Sequence, residues 1–247
     1  MSKNLSIIGA GAWGSALAIA LSDNFDSIYL HTHTAEEVDI LQPQHHALPT
    51  PYSDNTTLVF DLTKLQDSDS ILIATPSYAF SEVLNKLKPL LKAEHQIAWA
   101  TKGFDTTEQC FLHESFEKIL SNRQGCVISG PSFAFEVAAQ KPTALVVASE
   151  DKKTRDYWAQ CIQTRTLRAY TNSDIIGVEV GGSVKNILAI AAGIASGLGY
   201  GINTQAALIT RGLAEMTRLG KSLGAQQSTF VGLSGLGDLV LTCSDDL

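Results

Sequence analysis

Gly9-Ala-Gly11-Ala-Trp-Gly14 is the feature that most narrows what this chain can fold into. It follows a short apolar run, Leu5–Ile8, and opens an alanine-rich apolar stretch, Ala12–Leu21, that reads as a helix. A Gly-x-Gly-x-x-Gly turn between strand and helix suits a dinucleotide. The first glycine permits the tight turn, the second lets backbone approach a pyrophosphate, and the third lets helix and strand pack closely. The helix N-terminus adds amide donors and the positive end of a dipole. On this reading Gly9, Gly11 and Gly14 are cofactor-site residues. The competing reading, a merely structural turn, fits less well because a series of strand–helix units follows.

Further strands are expected at Ser27–Leu30, Thr57–Phe60, Ser70–Thr75, Gln96–Thr101, Cys126–Ser129 and Thr143–Ala148, with helices at Phe80–Leu91 and Thr107–Leu120. Continuous apolar strands alternating with helices imply a parallel sheet covered on both faces. After about Asp174 the β-branched runs stop. Helices are expected at Ile175–Gly197, Asn203–Leu223 and Ser228–Val231, with Gly232–Asp238 as a glycine-rich loop. The expected architecture is an α/β Rossmann-type doubly wound sheet over residues 1–174, followed by an all-helical domain over residues 175–247.

A net charge of -7 argues against broad nucleic-acid binding, which needs a basic surface. It still allows an anionic small molecule, because a few local cations can reverse the field inside a cleft. Four widely spaced cysteines without a C-x-x-C pair read as free thiols in a reducing cytoplasm. Four of the six histidines fall in two clusters, Leu30–Thr34 and Gln44–Ala47, and no metal site is expected. No signal peptide is visible. The apolar stretch Ile187–Ile202 is shorter than the roughly 18 residues of a membrane span, so a buried core helix is expected instead.

Lys185 is the only charged side chain between Val180 and Arg211. A helix that is apolar all round should be buried. A lysine within it must pair, reach water or lower its pKa. Its neighbour Asn186 and the distant Asp238 are candidate companions. Two readings stay open from the residues alone: an amine that moves a proton beside a bound nicotinamide, or one that escapes to solvent at a helix end.

In an open α/β sheet the ligand lies across the carboxyl ends of the strands. Three such ends carry Thr75-Pro76-Ser77, Thr101-Lys102-Gly103 and Ser129-Gly130-Pro131-Ser132-Phe133-Ala134. Pro76 shapes a wall for the cofactor, Lys102 puts an amine on that edge, and the Gly130–Ala134 turn offers exposed amides. The second strand ends in His31-Thr32-His33-Thr34, with Glu36 and Glu37 the nearest acids. No carboxylate is expected at the ribose position, where one would repel a 2′-phosphate, and no arginine to bind one. The cofactor is expected to be NADP or NAD, with NADP tolerated.

Taken together, Gly-Ala-Gly-Ala-Trp-Gly (9–14), Ala-Thr-Lys-Gly (100–103), Ser-Gly-Pro-Ser-Phe-Ala-Phe-Glu (129–136), Gly-Gly-Ser-Val-Lys-Asn (181–186), Ala-Leu-Ile-Thr-Arg-Gly-Leu-Ala-Glu-Met (207–216) and Gly-Leu-Gly-Asp-Leu-Val-Leu-Thr-Cys (235–243) closely resemble the bacterial NAD(P)-dependent glycerol-3-phosphate dehydrogenases. The resemblance implies reversible reduction of dihydroxyacetone phosphate to sn-glycerol 3-phosphate, feeding phospholipid synthesis in the cytoplasm. It implies that Lys185 transfers the proton, that Asp238 stands with it in the substrate site, and that Lys102 touches both substrate and cofactor. It places Gly130 and Ser132 at the substrate, and Ala12, Trp13, His33 and Ala134 at the cofactor. Arg211 lies in a family motif but is equally suited to pair with Glu215 one helical turn on. The resemblance also implies a Ser-Arg-Asn phosphate-binding motif beyond Cys243. Here the residues are Ser244-Asp245-Asp246-Leu247. An incomplete helical domain, weak substrate binding and exposed apolar surface that favours association, such as a homodimer, are the expectation.

Two other readings stay beside this one. A two-domain enzyme of similar build reduces another ketone, such as a keto acid. A nucleotide-binding module without catalysis would keep only the first motif.

Overall fold

A computed structural model describes residues 3–244. The chain opens β1 (Asn4–Ile8), α1 (Ala12–Leu21), β2 (Ser27–His31), α2 (Glu36–Ile40), β3 (Thr56–Val59), β4 (Ser70–Ile73), α3 (Phe80–Leu87) and β5 (Gln96–Trp99). A small hairpin follows, β6 (Phe104–Asp105) with β7 (Cys110–Phe111), then α4 (Leu112–Ile119), β8 (Gly125–Ser129), α5 (Ala134–Ala138), β9 (Thr143–Ala148), α6 (Lys152–Ile162) and β10 (Leu167–Asn172). Helices then take over: α7 (Ile175–Gly197), α8 (Ile202–Ser222), α9 (Gln227–Phe230) and α10 (Asp238–Ser244).

Eight strands form one sheet in the order β10-β9-β8-β5-β4-β1-β2-β3. Side chains alternate between its faces, as strand geometry dictates. Leu5, Ile7, Leu30 and Leu72 pack with α1, α5 and α6. Ile8, Ile71, Ile73 and Trp99 face the other way, onto Leu84, Phe116 and Val178 of α3, α4 and α7. A doubly covered sheet explains why these strands are apolar on both sides. The topology reverses between β1 and β4, which opens a crevice at the strand ends.

The sheet departs from the all-parallel expectation in one place. β9 runs antiparallel to β8, in register Val127 with Ala148. The connecting segment holds only the five-residue α5, so the chain turns back instead of crossing over. The strand β10, parallel to β9, was not expected; its edge position leaves it half exposed, without a continuous apolar run. The helix expected over Thr107–Leu120 is shorter. Asp105 Oδ1 accepts from the amides of Thr107 and Glu108 at 3.0 Å, and Gln109 takes a left-handed φ of 54°, so a hairpin turn precedes α4.

Asp174 starts α7. Its Oδ1 accepts from the Gly177 amide at 2.9 Å, while Oδ2 accepts from the Gln226 amide and from Thr229 Oγ1 at 2.9 and 2.6 Å. One carboxylate thus caps α7 and ties it to α9. The expected loop at Gly232–Asp238 is instead a π-helical turn, Leu233–Gly237, that runs straight into α10. A Cβ at Gly181 would collide with the carbonyl oxygen of Ser234, so the glycines here serve helix-on-backbone packing as well as turning.

The expectation that α7 is buried along its length holds only for its first half. Val178, Val180 and Lys185 are buried. Beyond them Ile187, Ile190, Ile194 and Leu198 form a stripe that is 60–71% exposed. α7 is the one described helix long and apolar enough to cross a membrane, but its first half is packed into the core of this fold.

Candidate active site

The strand ends and the start of the helical half enclose a cleft of about 1260 Å³. Gly9, Gly11, Ala12 and Trp13 line it beside Pro76, Lys102, Ser132, Ala134, Lys185 and Asn186. His33 stands at its far end. Gly14, Gly130 and Asp238 are not on the wall, and each acts from behind it.

The β1–α1 turn fits a pyrophosphate. Gly9 has φ +114°, and a Cβ there would lie 2.9 Å from the Ala74 carbonyl oxygen. A Cβ at Gly14 would strike the carbonyl oxygen of Gly9. Gly11 has nothing within 4 Å of where a Cβ would stand, so its backbone faces open cleft. Thr75 Oγ1 and Trp13 Nε1 are buried on residues of the same wall without a hydrogen-bond partner among the described residues. An open amide edge and spare polar atoms are what a bound dinucleotide needs.

The lysines meet on one carboxylate. Lys185 Nζ donates to Asp238 Oδ1 at 2.6 Å and to Thr242 Oγ1 at 3.0 Å. Lys102 Nζ donates to Asp238 Oδ2 at 2.7 Å and to the Gly130 carbonyl at 2.9 Å. Asp238 is fully buried. Three segments supply these groups: the end of β5, the middle of α7 and the start of α10. A buried carboxylate shared by two ammoniums leaves one net positive charge at the cleft wall when both are protonated, suited to an anionic substrate. Burial pulls Lys102 down to about 8; Asp238 opposes the fall and Lys185 adds to it.

Local chemistry explains each placement. Lys102 follows β5 directly, and Thr101 Oγ1 donates to the Thr75 carbonyl at 2.8 Å, joining the ends of β4 and β5. Gly130, at φ +134°, turns its carbonyl toward Lys102. Ser183 Oγ donates to the Gly103 carbonyl at 2.9 Å, holding α7 against the loop that carries Lys102. Arg211 pairs with Glu215 at 2.8 Å on the exposed face of α8, away from these groups.

Thr242 was not singled out from the sequence. The usable signal was its i+4 spacing from Asp238, which puts both on one helical face; its hydroxyl donates to the Asp238 carbonyl at 2.7 Å. Glu37 was misplaced. Its carboxylate folds back onto the turn after β2, accepting from the amides of His33 and Thr34 at 2.8 and 3.4 Å. A carboxylate therefore does stand at the strand end where none was expected. His31 is buried with Nε2 3.1 Å from Ser6 Oγ. Among the described residues no group of histidine, cysteine and carboxylate side chains is placed to hold a metal ion.

Residues 4–155 match the family described as NAD-dependent glycerol-3-phosphate dehydrogenase N-terminus, and residues 174–247 match its C-terminus counterpart. The chain is 76% identical over all 247 residues to a glycerol-3-phosphate dehydrogenase [NAD(P)+] of Ruthia magnifica subsp. Calyptogena magnifica, of which it covers 76%. It is 45% identical to the like-named protein of Hydrogenovibrio crunogenus, covering 98% of this chain and 73% of that one. The crystal structure of glycerol-3-phosphate dehydrogenase from Coxiella burnetii superposes with a TM-score of 0.94 at 44% identity, covering 99% of this chain and 77% of that one. With the glycine turn, the cleft and the shared carboxylate in the same molecule, the chain belongs to the NAD-dependent glycerol-3-phosphate dehydrogenase family.

Proposed function

We propose that Lys185, Asp238 and Lys102 perform the chemistry of this cleft, with residues 1–174 holding the nucleotide and residues 175–247 completing the substrate site. The enzyme is an oxidoreductase that transfers a hydride between NAD(P)H and dihydroxyacetone phosphate, giving sn-glycerol 3-phosphate for glycerophospholipid synthesis. The observation that carries the site assignment is the Lys185–Asp238–Lys102 bridge, whose two lysines line the same cleft as the glycine turn that follows β1.

When bound, the nicotinamide supplies the hydride. The protein's task is the carbonyl oxygen. Protonated Lys185 stabilises the negative charge that grows there and gives up its proton to it; in the reverse direction its neutral amine takes the alcohol's proton. Asp238 accepts from Lys185 and aims it, with Thr242 as the second acceptor. Lys102 and Ser132 contact the substrate, with Gly130 holding Lys102 from behind through its carbonyl, and Lys102 also borders the nucleotide. Gly9, Gly11, Ala12, Trp13, His33, Pro76 and Ala134 form the nucleotide wall, with Gly14 behind it.

NADH and NADPH oxidation with dihydroxyacetone phosphate, against ketopantoate as a rival ketone, tests this function. Turnover of the phosphorylated ketone alone is expected; faster turnover of the keto acid refutes it. Nucleotide binding with no turnover of either would favour a binding module. A cytoplasmic location and a homodimer belong to the same proposal. The exposed Ile187–Leu198 stripe is the observation for association, since monomers seldom leave such a patch in water. A monomer by sedimentation at micromolar concentration removes the dimer.

A further inference from the structure

We propose that Glu37 makes this enzyme favour NAD(H) over NADP(H). The inference rests on the dehydrogenase reading and concerns only the adenosine end of the cleft.

The two dinucleotides differ by one group, a phosphate on the ribose 2′ oxygen. In a doubly wound fold that ribose lies at the end of β2, where an acid accepts from its hydroxyls or a cation holds the phosphate. Here β2 ends at His31, and Glu37 occupies the turn beyond it. Glu37 Oε2 takes the His33 and Thr34 amides, the backbone donors that a 2′-phosphate would otherwise use. Oε1 has no protein donor among the described residues, so it is free to accept from a ribose hydroxyl.

The rest of this end reinforces the charge. Glu37, Asp61 and Glu82 all line the cleft, against one ammonium, Lys86. Lys86 is already paired with Glu82 at 2.6 Å. His33 is exposed. Three carboxylates around a single neutralised lysine repel a phosphate that carries close to two negative charges, while a neutral diol finds an acceptor. No arginine lines the cleft to take the phosphate in a fork.

Equilibrium binding of NADH and NADPH, followed by nicotinamide fluorescence and calorimetry without substrate, tests this. Wild type is expected to bind NADH at least roughly tenfold more tightly than NADPH, a difference a single buried or half-buried charge commonly sets. Glu37→Gln should tighten NADPH and weaken NADH, closing most of that gap with circular dichroism unchanged. Should Glu37→Gln not fold, wild type alone gives the answer: raising salt from about 0.02 to 0.5 M screens the repulsion and should narrow the NADH:NADPH affinity ratio severalfold. Equal affinities in wild type, or a ratio indifferent to both Glu37→Gln and salt, overturn the proposal. Binding of neither nucleotide overturns the dehydrogenase reading itself, and this inference with it.

Discussion

The indole nitrogen of Trp99 donates to Glu179 Oε1 at 2.8 Å, so the strand that delivers Lys102 is tied to the helix that carries Lys185. The other oxygen of Glu179 lies 2.6 Å from His113 Nδ1 and accepts from the His113 amide at 3.3 Å. Glu179 is buried, and so is Trp99. Burial alone would lower His113; its hydrogen bond to Glu179 and that residue's charge outweigh burial and raise it. Glu179→Ala strips Trp99 and both His113 nitrogens of their acceptor. A loss of about 1–3 kcal/mol is expected in urea unfolding. Because two active lysines also lose their common frame, kcat should fall while the circular dichroism spectrum is kept. Unchanged kcat with lowered stability would confine Glu179 to folding.

Lys185→Ala should lower kcat by about 10²–10⁴-fold, the usual cost of losing a placed acid. NADH affinity should stay within a few-fold, since the amine is bonded to Asp238 and Thr242 and makes no bond to the Gly9–Gly14 turn. Stopped-flow turnover and fluorescence titration on one preparation separate the two. Retained turnover above a hundredth of wild type would remove Lys185 from the proton step.

Two glycines of one turn should fail differently. A Cβ at Gly14 collides with the Gly9 carbonyl, whereas at Gly11 it meets nothing. Gly14→Ala should therefore lose stability, by a few kcal/mol on the order of a strained core substitution. Gly11→Ala should unfold like wild type yet bind NADH poorly, because the methyl takes the space of the pyrophosphate. Thermal melts and NADH titrations read both; a Gly11→Ala protein with normal affinity would move the dinucleotide elsewhere.

The KM for dihydroxyacetone phosphate should rise with pH. Lys102 titrates near 8, so its ammonium disappears as pH climbs through that value. KM should then increase up to roughly tenfold per pH unit, because the neutral amine no longer attracts the phosphorylated substrate. Lys102→Arg, which stays charged, should flatten the profile. For stability the sign runs the other way. The folded state holds fewer protons at Lys102 than the unfolded chain between about 8 and 10.5, so this group favours folding more as pH rises.

Acid should weaken the fold through His31. Burial lowers it to about 4, with Asp61 opposing. The unfolded chain takes up this proton below 6.5 and the folded chain does not, so stability is lost as pH falls from 6.5 toward 4. The loss is of the order of 3 kcal/mol, following from 1.36 kcal/mol per pKa unit. His31→Gln should show a shallower drop between pH 7 and 5 in urea unfolding; an equal slope would assign the acid sensitivity to other groups.

Much of this could be read from residues alone because the constraints were local. Gly9, Gly11 and Gly14 stand within six residues of one another in a turn, and Lys185 is conspicuous as the only charge between Val180 and Arg211. The ends of β4, β5 and β8 carried Pro76, Lys102 and Gly130 in plain sight. What escaped was set by distance in sequence or by small backbone choices. Asp238 reaches Lys185 across 53 residues and Lys102 across 136, so no spacing rule shows that it holds both. Glu37 looked remote from the ribose until the turn after β2 folded back on itself. The reversal of β9 depends on how little helix separates it from β8, and apolar content is blind to strand direction. The exposed half of α7 is no less apolar than the buried half, so its exposure depends on what packs against it and not on its own residues.

The bridging carboxylate has a consequence for how the chain matures. Residues 1–237 contain both lysines but not the acid they share, which comes from the first turn of α10. Without that carboxylate the two amines would be left as uncompensated charge in a buried place. A chain stopped before α10 is therefore expected to be chemically inert as well as less stable.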